Sequence, residues 1–141
     1  MTADARKVKA MKFILMMNTM KAGCEPLKGW SKEDFQTHCR VLIKLHQDLR
    51  ESGELVSVEG LSFPDQAKLV RAGQDGKPIT DGVFPESKEF LASFSIVDVE
   101  NPERAYEIAA QISAAPGPGG RPLNMPIEVR PVMSGPPPEM L

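Results

Sequence analysis

An uninterrupted apolar segment near the start of the chain is the feature that most restricts its fold. Residues 13–17 read Phe-Ile-Leu-Met-Met without an alternating polar residue, and Asn18 ends the run. Five residues are too few for the apolar core of a signal peptide, which needs about 7–15, or for a membrane span of about 20. The segment is therefore predicted to be a strand that is covered on both faces of a sheet.

Two segments have the apolar spacing of amphipathic helices. The longer one starts after Ser31, with Asp34 three residues on in a capping-box pattern, and it ends before Gly53. The shorter one follows Asn101 and Pro102, which are favoured residues for an N-cap and a first helical position. Each helix is predicted to lay one apolar face on a sheet.

Further strands alternate with these helices along the chain. They are predicted over residues 55–61, 67–72, 77–80, 90–99 and 127–132. A turn at Pro64-Asp65 favours a hairpin between the first two of them, and Val56 and Val58 are expected on one face of the first. This order of elements predicts an α+β fold: a ferredoxin-like sandwich with two helices on one face of an antiparallel sheet.

The opposite face of that sheet also needs cover. Two helices cover only one face, whereas the apolar run at 13–17 directs side chains to both. A second copy of the same sheet is the simplest cover, so a homodimer of the dimeric α/β-barrel type is expected.

Length and composition indicate one domain with tails. A chain of 141 residues has the common size of a single domain. The domain is placed at 11–133, after a flexible N-terminal extension at 1–10 and before a Pro-rich tail at 134–141. A net charge of -2 without a basic stripe, and one Trp and one Tyr, argue against nucleic-acid binding.

The two cysteines favour a cytoplasmic protein. Cys24 and Cys39 lack Cys-x-x-Cys spacing, and the chain has no third cysteine for a metal cluster. Free thiols in a reducing compartment are the favoured interpretation, and a disulfide between the two stays open.

The segment from 79 to 94 mixes charge, glycine and apolar residues most closely. Asp81-Gly82 is a common turn dipeptide, and a turn is one interpretation. In the other, Asp81 is a carboxylate that projects into a cleft beside Thr80, with Arg71 or Lys88 binding an anionic group of a small molecule.

His46 is the second candidate for chemistry. It lies within the apolar stripe of the longer helix, four residues after Leu42, so it is expected to face the sheet, either as a core histidine or as a general acid or base. His38 is eight residues away and lies nearer the edge of the stripe. This spacing does not bring both rings to one metal ion, so no metal is predicted. The sequence has no nucleotide-binding fingerprint, and no cofactor is predicted.

Four ordered motifs resemble the YCII-related family, in its DGPF branch. They are the segments at 58–61, 67–71, 80–89 and 127–132, and the likeness extends over about residues 11–132. The resemblance implies a ferredoxin-like fold, dimerisation through sheets and a cleft beside the Asp81 loop, with Gly82 and Glu59 among its binding residues. One branch includes a dehydrochlorinase of a chlorinated hydroxyquinol, some members have a suggested catalytic His/Asp pair, and many are encoded beside extracytoplasmic-function sigma factors.

The chain departs from the family pattern at three places. Val83 replaces a Pro, Ser93 stands where a Gly is usual, and Leu42 occupies the position of the family histidine, with His46 one turn later. Two hypotheses follow. One is a small cofactor-independent enzyme, lyase-like or isomerase-like, in which Asp81 exchanges a proton with a small organic substrate and His46 assists. The other is a non-catalytic ligand-binding or regulatory dimer, linked to a sigma factor.

Overall fold

The structure is a computed structural model, and it describes residues 11–20, 29–82, 89–133 and 135–140. Its strands are β1 (Met11–Met20), β2 (Leu55–Gly60), β3 (Lys68–Ala72), β4 (Pro78–Gly82), β5 (Glu89–Val99) and β6 (Glu128–Pro131). Its α-helices are α1 (Lys32–Glu51) and α2 (Pro102–Ser113), and short 3₁₀ turns span Pro64–Gln66, Pro118–Gly120 and Pro138–Met140. The predicted extension at 1–10 lies outside the described residues, as do 134 and 141 of the predicted tail.

Four strands form one antiparallel sheet in the order β2-β5-β1-β6. With α1 after β1 and α2 after β5, this is the ferredoxin-like α+β arrangement, so the predicted fold class is confirmed. The buried core lies between the helices and one face of this sheet. It is formed by Phe13, Leu15, Leu49, Val97, Val99, Ala105, Ile108, Ala109 and Ile112.

Both helices begin at the predicted caps. The Ser31 hydroxyl accepts a hydrogen bond from the backbone N–H of Asp34 at 2.9 Å, and the Asn101 side chain accepts one from the N–H of Arg104 at 2.9 Å. These bonds satisfy backbone donors that a first helical turn leaves unpaired. Gly53, with a φ of 79°, follows the end of α1 as the sequence predicts.

The predicted hairpin between residues 55–61 and 67–72 is wrong. β2 pairs with β5, and β3 pairs with β4 in a separate two-stranded sheet. The 3₁₀ turn at Pro64–Gln66 intervenes between β2 and β3. The backbone groups of β2 instead form their hydrogen bonds with β5, which is distant in sequence. The turn of the observed hairpin is at Asp75-Gly76, where Asp75 accepts a bond from the N–H of Lys77 at 3.0 Å.

The expectation for Val56 and Val58 is also wrong. The β2–β5 register shifts between Leu55 and Ser57, which is a β-bulge with Val56 as the extra residue. Val56 is exposed, whereas Val58 pairs with the buried Ser95. The bulge therefore reverses the alternation within β2 and moves Val56 away from the core.

Candidate functional site

A cavity of about 190 Å³ lies between the helices and the sheet. It is lined mainly by apolar residues from β1, β2, both helices and the position just before β6: Leu15, Met17, Leu42, Val58, Ile112 and Ile127, with Phe94 bordering it from β5. His46, Glu59, Gly60, Ser93 and Ser95 complete the lining. Small-molecule sites usually combine an apolar lining with a few polar groups in this way.

His46 faces this cavity from α1, as the sequence predicts. Its side chain is half-buried, four residues beyond Leu42 on the helix face that packs on the core. Burial lowers the pKa of His46 from its usual 6.5, and the positive charge of Arg50 lowers the pKa further. The imidazole is therefore neutral at neutral pH, with one ring nitrogen able to accept a proton.

Two serines provide hydroxyl groups on the sheet side of the cavity. Ser95 is 4 % exposed and pairs with Leu15 across the sheet, and Ser93 pairs with Met17. Both occupy the core-facing side of β5, where Val97 and Val99 follow at the same alternation. β5 thus changes from apolar to polar residues where its core-facing side borders the cavity.

Glu59 lies at the rim of the cavity and is exposed. It pairs with Phe94 in the register that places Val58 opposite the buried Ser95. Since successive side chains of a strand point to opposite faces, the Glu59 carboxylate is directed to the face away from the helices. Its backbone is the part that borders the His46 cavity.

The candidates around Asp81 lie on a different part of the molecule. Asp81 pairs with Leu69, and Thr80 with Val70, so Asp81-Gly82 forms the end of a strand and not a turn. Every residue of β3 and β4 is exposed, including Arg71. Among the described residues, no hydrogen bond or ion pair joins Asp81 to another side chain. Val83 and Lys88 lie outside the described residues.

The structure therefore places His46 and Glu59 at one cavity but does not bring Asp81 to it. The described cavity lining includes no residue of the β3–β4 hairpin. The predicted His46/Asp81 pair consequently does not form within the described part of one chain.

Comparison with known proteins agrees with this fold and supplies the family. The model of the YCII-related domain matches residues 11–119, which is more than half of the chain. The chain belongs to the YCII-related family. The family predicted from the ordered sequence motifs is thus confirmed, and the matched range includes α1, β5, α2 and the His46 cavity except for Ile127.

An uncharacterised protein of Rhizobium meliloti (strain 1021) is similar to this YCII-related protein. The two are 30% identical over 104 residues, which cover 74% of this chain and 80% of the relative. The relative supports the family assignment and adds no activity.

The described residues contain neither a metal-binding cluster nor a helix suited to cross a membrane. No group of three or more His, Cys, Asp or Glu side chains there could hold a metal ion. Nor does any helix of the described chain have the length and apolar character that a membrane crossing requires. Cys39 has a free thiol, and Cys24 lies outside the described residues.

Ser93 and Ser95 were missed as site residues. Their signal is present in β5, because hydroxyl groups at two successive core-facing positions of an otherwise apolar strand indicate a local break in close packing. The sequence pattern alone does not show that His46 faces the same break, since that depends on how α1 is placed over the sheet.

Proposed function

We propose that this YCII-related protein binds a small organic molecule in the His46 cavity and exchanges a proton with it, as a cofactor-independent lyase-like or isomerase-like enzyme. One observation carries the proposal: a half-buried histidine with a lowered pKa faces a mainly apolar cavity. A neutral imidazole in such a place is suited to act as a general base.

The lining gives the other groups their roles in this proposal. Ser93 and Ser95 donate or accept hydrogen bonds and so orient the substrate against His46. The apolar residues exclude water, which strengthens these hydrogen bonds and the interaction of His46 with the proton that it removes. Glu59 contributes through its backbone at the rim.

The hairpin residues have a secondary role. Asp81, Thr80, Gly82 and Arg71 are exposed and do not line the cavity, so proton transfer is assigned to His46, with Asp81 as an accessory carboxylate. A non-catalytic ligand-binding or regulatory protein, including one linked to a sigma factor, is the second candidate. The separation of Asp81 from His46 favours this second candidate, because the cavity then lacks the carboxylate that was predicted as the partner of His46.

A homodimer is part of the proposal. The sheet face away from the helices presents Ile14, Met16, Phe94 and Ile96 in paired rows of β1 and β5. Charged residues surround this stripe: Lys12, Glu59, Asp98, Glu128 and Arg130. An apolar centre with a polar rim is the composition of a protein–protein interface, and a second copy presents a matching one.

The decisive experiment compares the two histidines of the chain. Turnover of a panel of chlorinated hydroquinones and hydroxyquinols is measured by chloride release for the wild type, His46→Gln and His38→Gln. Removal of a general base should lower the rate by about 10²–10⁴-fold for His46→Gln. His38 donates through Nδ1 to the carbonyl oxygen of Pro116 at 2.9 Å and does not line the cavity, so His38→Gln is the control and should lower the rate far less than His46→Gln.

Binding separates the two candidates. If the panel binds to the wild type, as measured by calorimetry, but none is turned over, the protein is the ligand-binding candidate and the enzymatic proposal fails. If His46→Gln turns over a substrate as fast as the wild type, His46 is not the base.

A further inference from the structure

A second cavity, of about 280 Å³, lies at the end of the sheet where β2 finishes and β5 starts. Its lining is rich in aromatic and other apolar side chains: Trp30, Leu61, Phe63, Pro64, Phe90, Leu91, Ala92, Leu123 and Met125, together with Ser62. None of these described lining residues is charged.

Trp30 lines this cavity, and its ring packs against side chains outside the cavity lining. Its ring makes edge-to-face contacts with Phe35 and His38, at centroid distances of 6.3 Å and 5.3 Å and an interplanar angle of 80° in both cases. His38 is fixed in turn by its hydrogen bond to Pro116. Edge-to-face packing and this hydrogen bond hold the indole in one orientation, which preorganises the cavity for a ligand.

The two cavities adjoin. His38, Leu42 and His46 are spaced by four residues and therefore lie along one face of α1. His38 contacts Trp30 at one end of this face, whereas Leu42 and His46 line the first cavity.

The residues of β2 and β5 also indicate that the two cavities are neighbours. Gly60 and Ser93 line the first cavity, and their chain neighbours Leu61 and Ala92 line the second. The N–H of Leu61 donates to the carbonyl oxygen of Ala92 at 2.9 Å, so the two strands pass together from one cavity to the next.

We propose that the Trp30 cavity is an aromatic subsite that extends the His46 cavity, so that one elongated ligand occupies both. This inference rests on the proposed function of His46 and names its substrate class: an uncharged molecule with an aromatic ring at one end and a proton-donating group at the other. The ring stacks in the Trp30 cavity, and the proton-donating group reaches His46.

Exposure at the rim supports an apolar occupant. Leu61 and Phe63 are 45% and 43% exposed, which is high for large apolar side chains that flank a cavity. A ligand ring would remove this surface from water, and the absence of charge in the described lining favours a neutral ring over an anion.

The test uses 4-phenylbutan-1-ol and the full-length chain, labelled with ¹³C at the methionine methyl groups. Met125 reports on the Trp30 cavity and Met17 on the His46 cavity, and Trp30, the single tryptophan of the chain, adds an indole N–H signal. We expect saturable shifts of all three signals with one dissociation constant. The saturated analogue 4-cyclohexylbutan-1-ol should compete about two- to twelvefold more weakly, which corresponds to the 0.5–1.5 kcal/mol of an aromatic pair.

Two variants check the assignment. Trp30→Leu should lower the affinity for the phenyl compound, and the protein should no longer bind that compound more tightly than the cyclohexyl analogue. Tyr106→Leu removes an exposed aromatic ring of α2 that lines neither cavity, and it should leave the affinity unchanged. Circular dichroism of each variant establishes that it is folded, and His46→Gln should retain the shift of Met125 even where it abolishes proton transfer.

The outcomes separate this inference from the proposed function. A shift of Met17 alone, or no shift at all, overturns the subsite, while chloride release still decides the role of His46. Shifts of Met125 and Trp30 without Met17 show two separate sites and overturn the elongated ligand. Equal affinities of the phenyl and cyclohexyl compounds overturn the aromatic class.

Discussion

Arg104 donates two hydrogen bonds to the carboxylate of Glu54, from Nε to Oε2 at 2.8 Å and from Nη2 to Oε1 at 2.9 Å. Glu54 is 7% exposed and lies between the end of α1 and the start of β2, whereas Arg104 is in the first turn of α2. The pair therefore connects the segment between α1 and β2 to the first turn of α2. Removing one partner of a buried pair costs more than the pair contributes, because the other charge stays buried.

Arg104→Met should consequently lower the free energy of unfolding by about 2–4 kcal/mol, towards the lower end since the Arg104 side chain is partly solvated. Urea unfolding measures this loss. Glu107→Gln is the control: its contact with Arg104 is 3.5 Å long and Glu107 is 66% exposed, so the change should stay within about 0.5 kcal/mol. Equal effects of the two substitutions would contradict a special role of Glu54.

The pKa of His46 predicts a dependence of stability on pH. Burial and Arg50 hold the folded-state pKa below 6.5, so the unfolded chain takes up more protons than the folded one as the pH falls below about 6.5. The contribution of neutral His46 is therefore fully present above pH 6.5 and is lost as the pH falls from there towards the folded-state pKa.

His46→Gln should flatten this part of the stability curve. The free energy of unfolding is measured between pH 7.5 and pH 5 for the wild type, His46→Gln and His38→Gln. We expect the wild type and His38→Gln to lose more stability over this range than His46→Gln. Parallel curves for all three would show that the folded state does not perturb the titration of His46.

Much of the fold follows from local sequence signals. Ser31 and Asn101 cap the predicted helices, and the apolar run at 13–17 lies within β1, in agreement with the predicted strand. These features depend on residues close in sequence, so propensity and spacing predict them.

Strand partners and bulges could not be predicted in the same way. The paired residues of β2 and β5 are more than thirty positions apart in the sequence, and Val56 forms a bulge that neither residue type nor alternation signals. Both depend on long-range packing, for which strand propensity is only a weak guide. For the site, spacing predicts that His46 faces the sheet, but the cavity arises from the way α1, α2 and the sheet meet.

Gly117 should tolerate no side chain, because Leu123 fills the space beside it. A Cβ at Gly117 would lie 2.5 Å from Cδ2 and 2.9 Å from Cγ of Leu123. Gly117→Ala should therefore cost about 1–3 kcal/mol through displacement of Leu123, and it should perturb the Trp30 cavity that Leu123 lines. Thermal unfolding and the Trp30 indole signal measure the two effects.

Gly82→Ala provides the comparison, since a Cβ there meets nothing within 4 Å and its φ is not positive. Its effect should stay within about 0.5 kcal/mol. A Gly117→Ala protein as stable as the wild type would mean that Leu123 has another rotamer of equal energy.

Asp81→Asn should leave stability within about 0.5 kcal/mol of the wild type, because Asp81 is exposed and the two side chains have nearly the same shape. Its effect on turnover should be smaller than that of His46→Gln, since Asp81 does not line the cavity. Chloride release and urea unfolding of the same preparations test both statements. A loss of turnover as large as that of His46→Gln would instead show that Asp81 takes part in the chemistry directly, and it would contradict its accessory role.

The proposed dimer depends on the apolar stripe of β1 and β5. In a two-fold dimer each substitution occurs twice and near its own copy, so Ile96→Glu would bury two carboxylates in one interface. We expect the wild type to sediment at micromolar concentration with twice the 15.5 kDa mass of the chain, and Ile96→Glu to sediment as a folded monomer. Tyr106→Glu, on the exposed side of α2, should remain dimeric. A wild-type mass of 15.5 kDa would overturn the dimer.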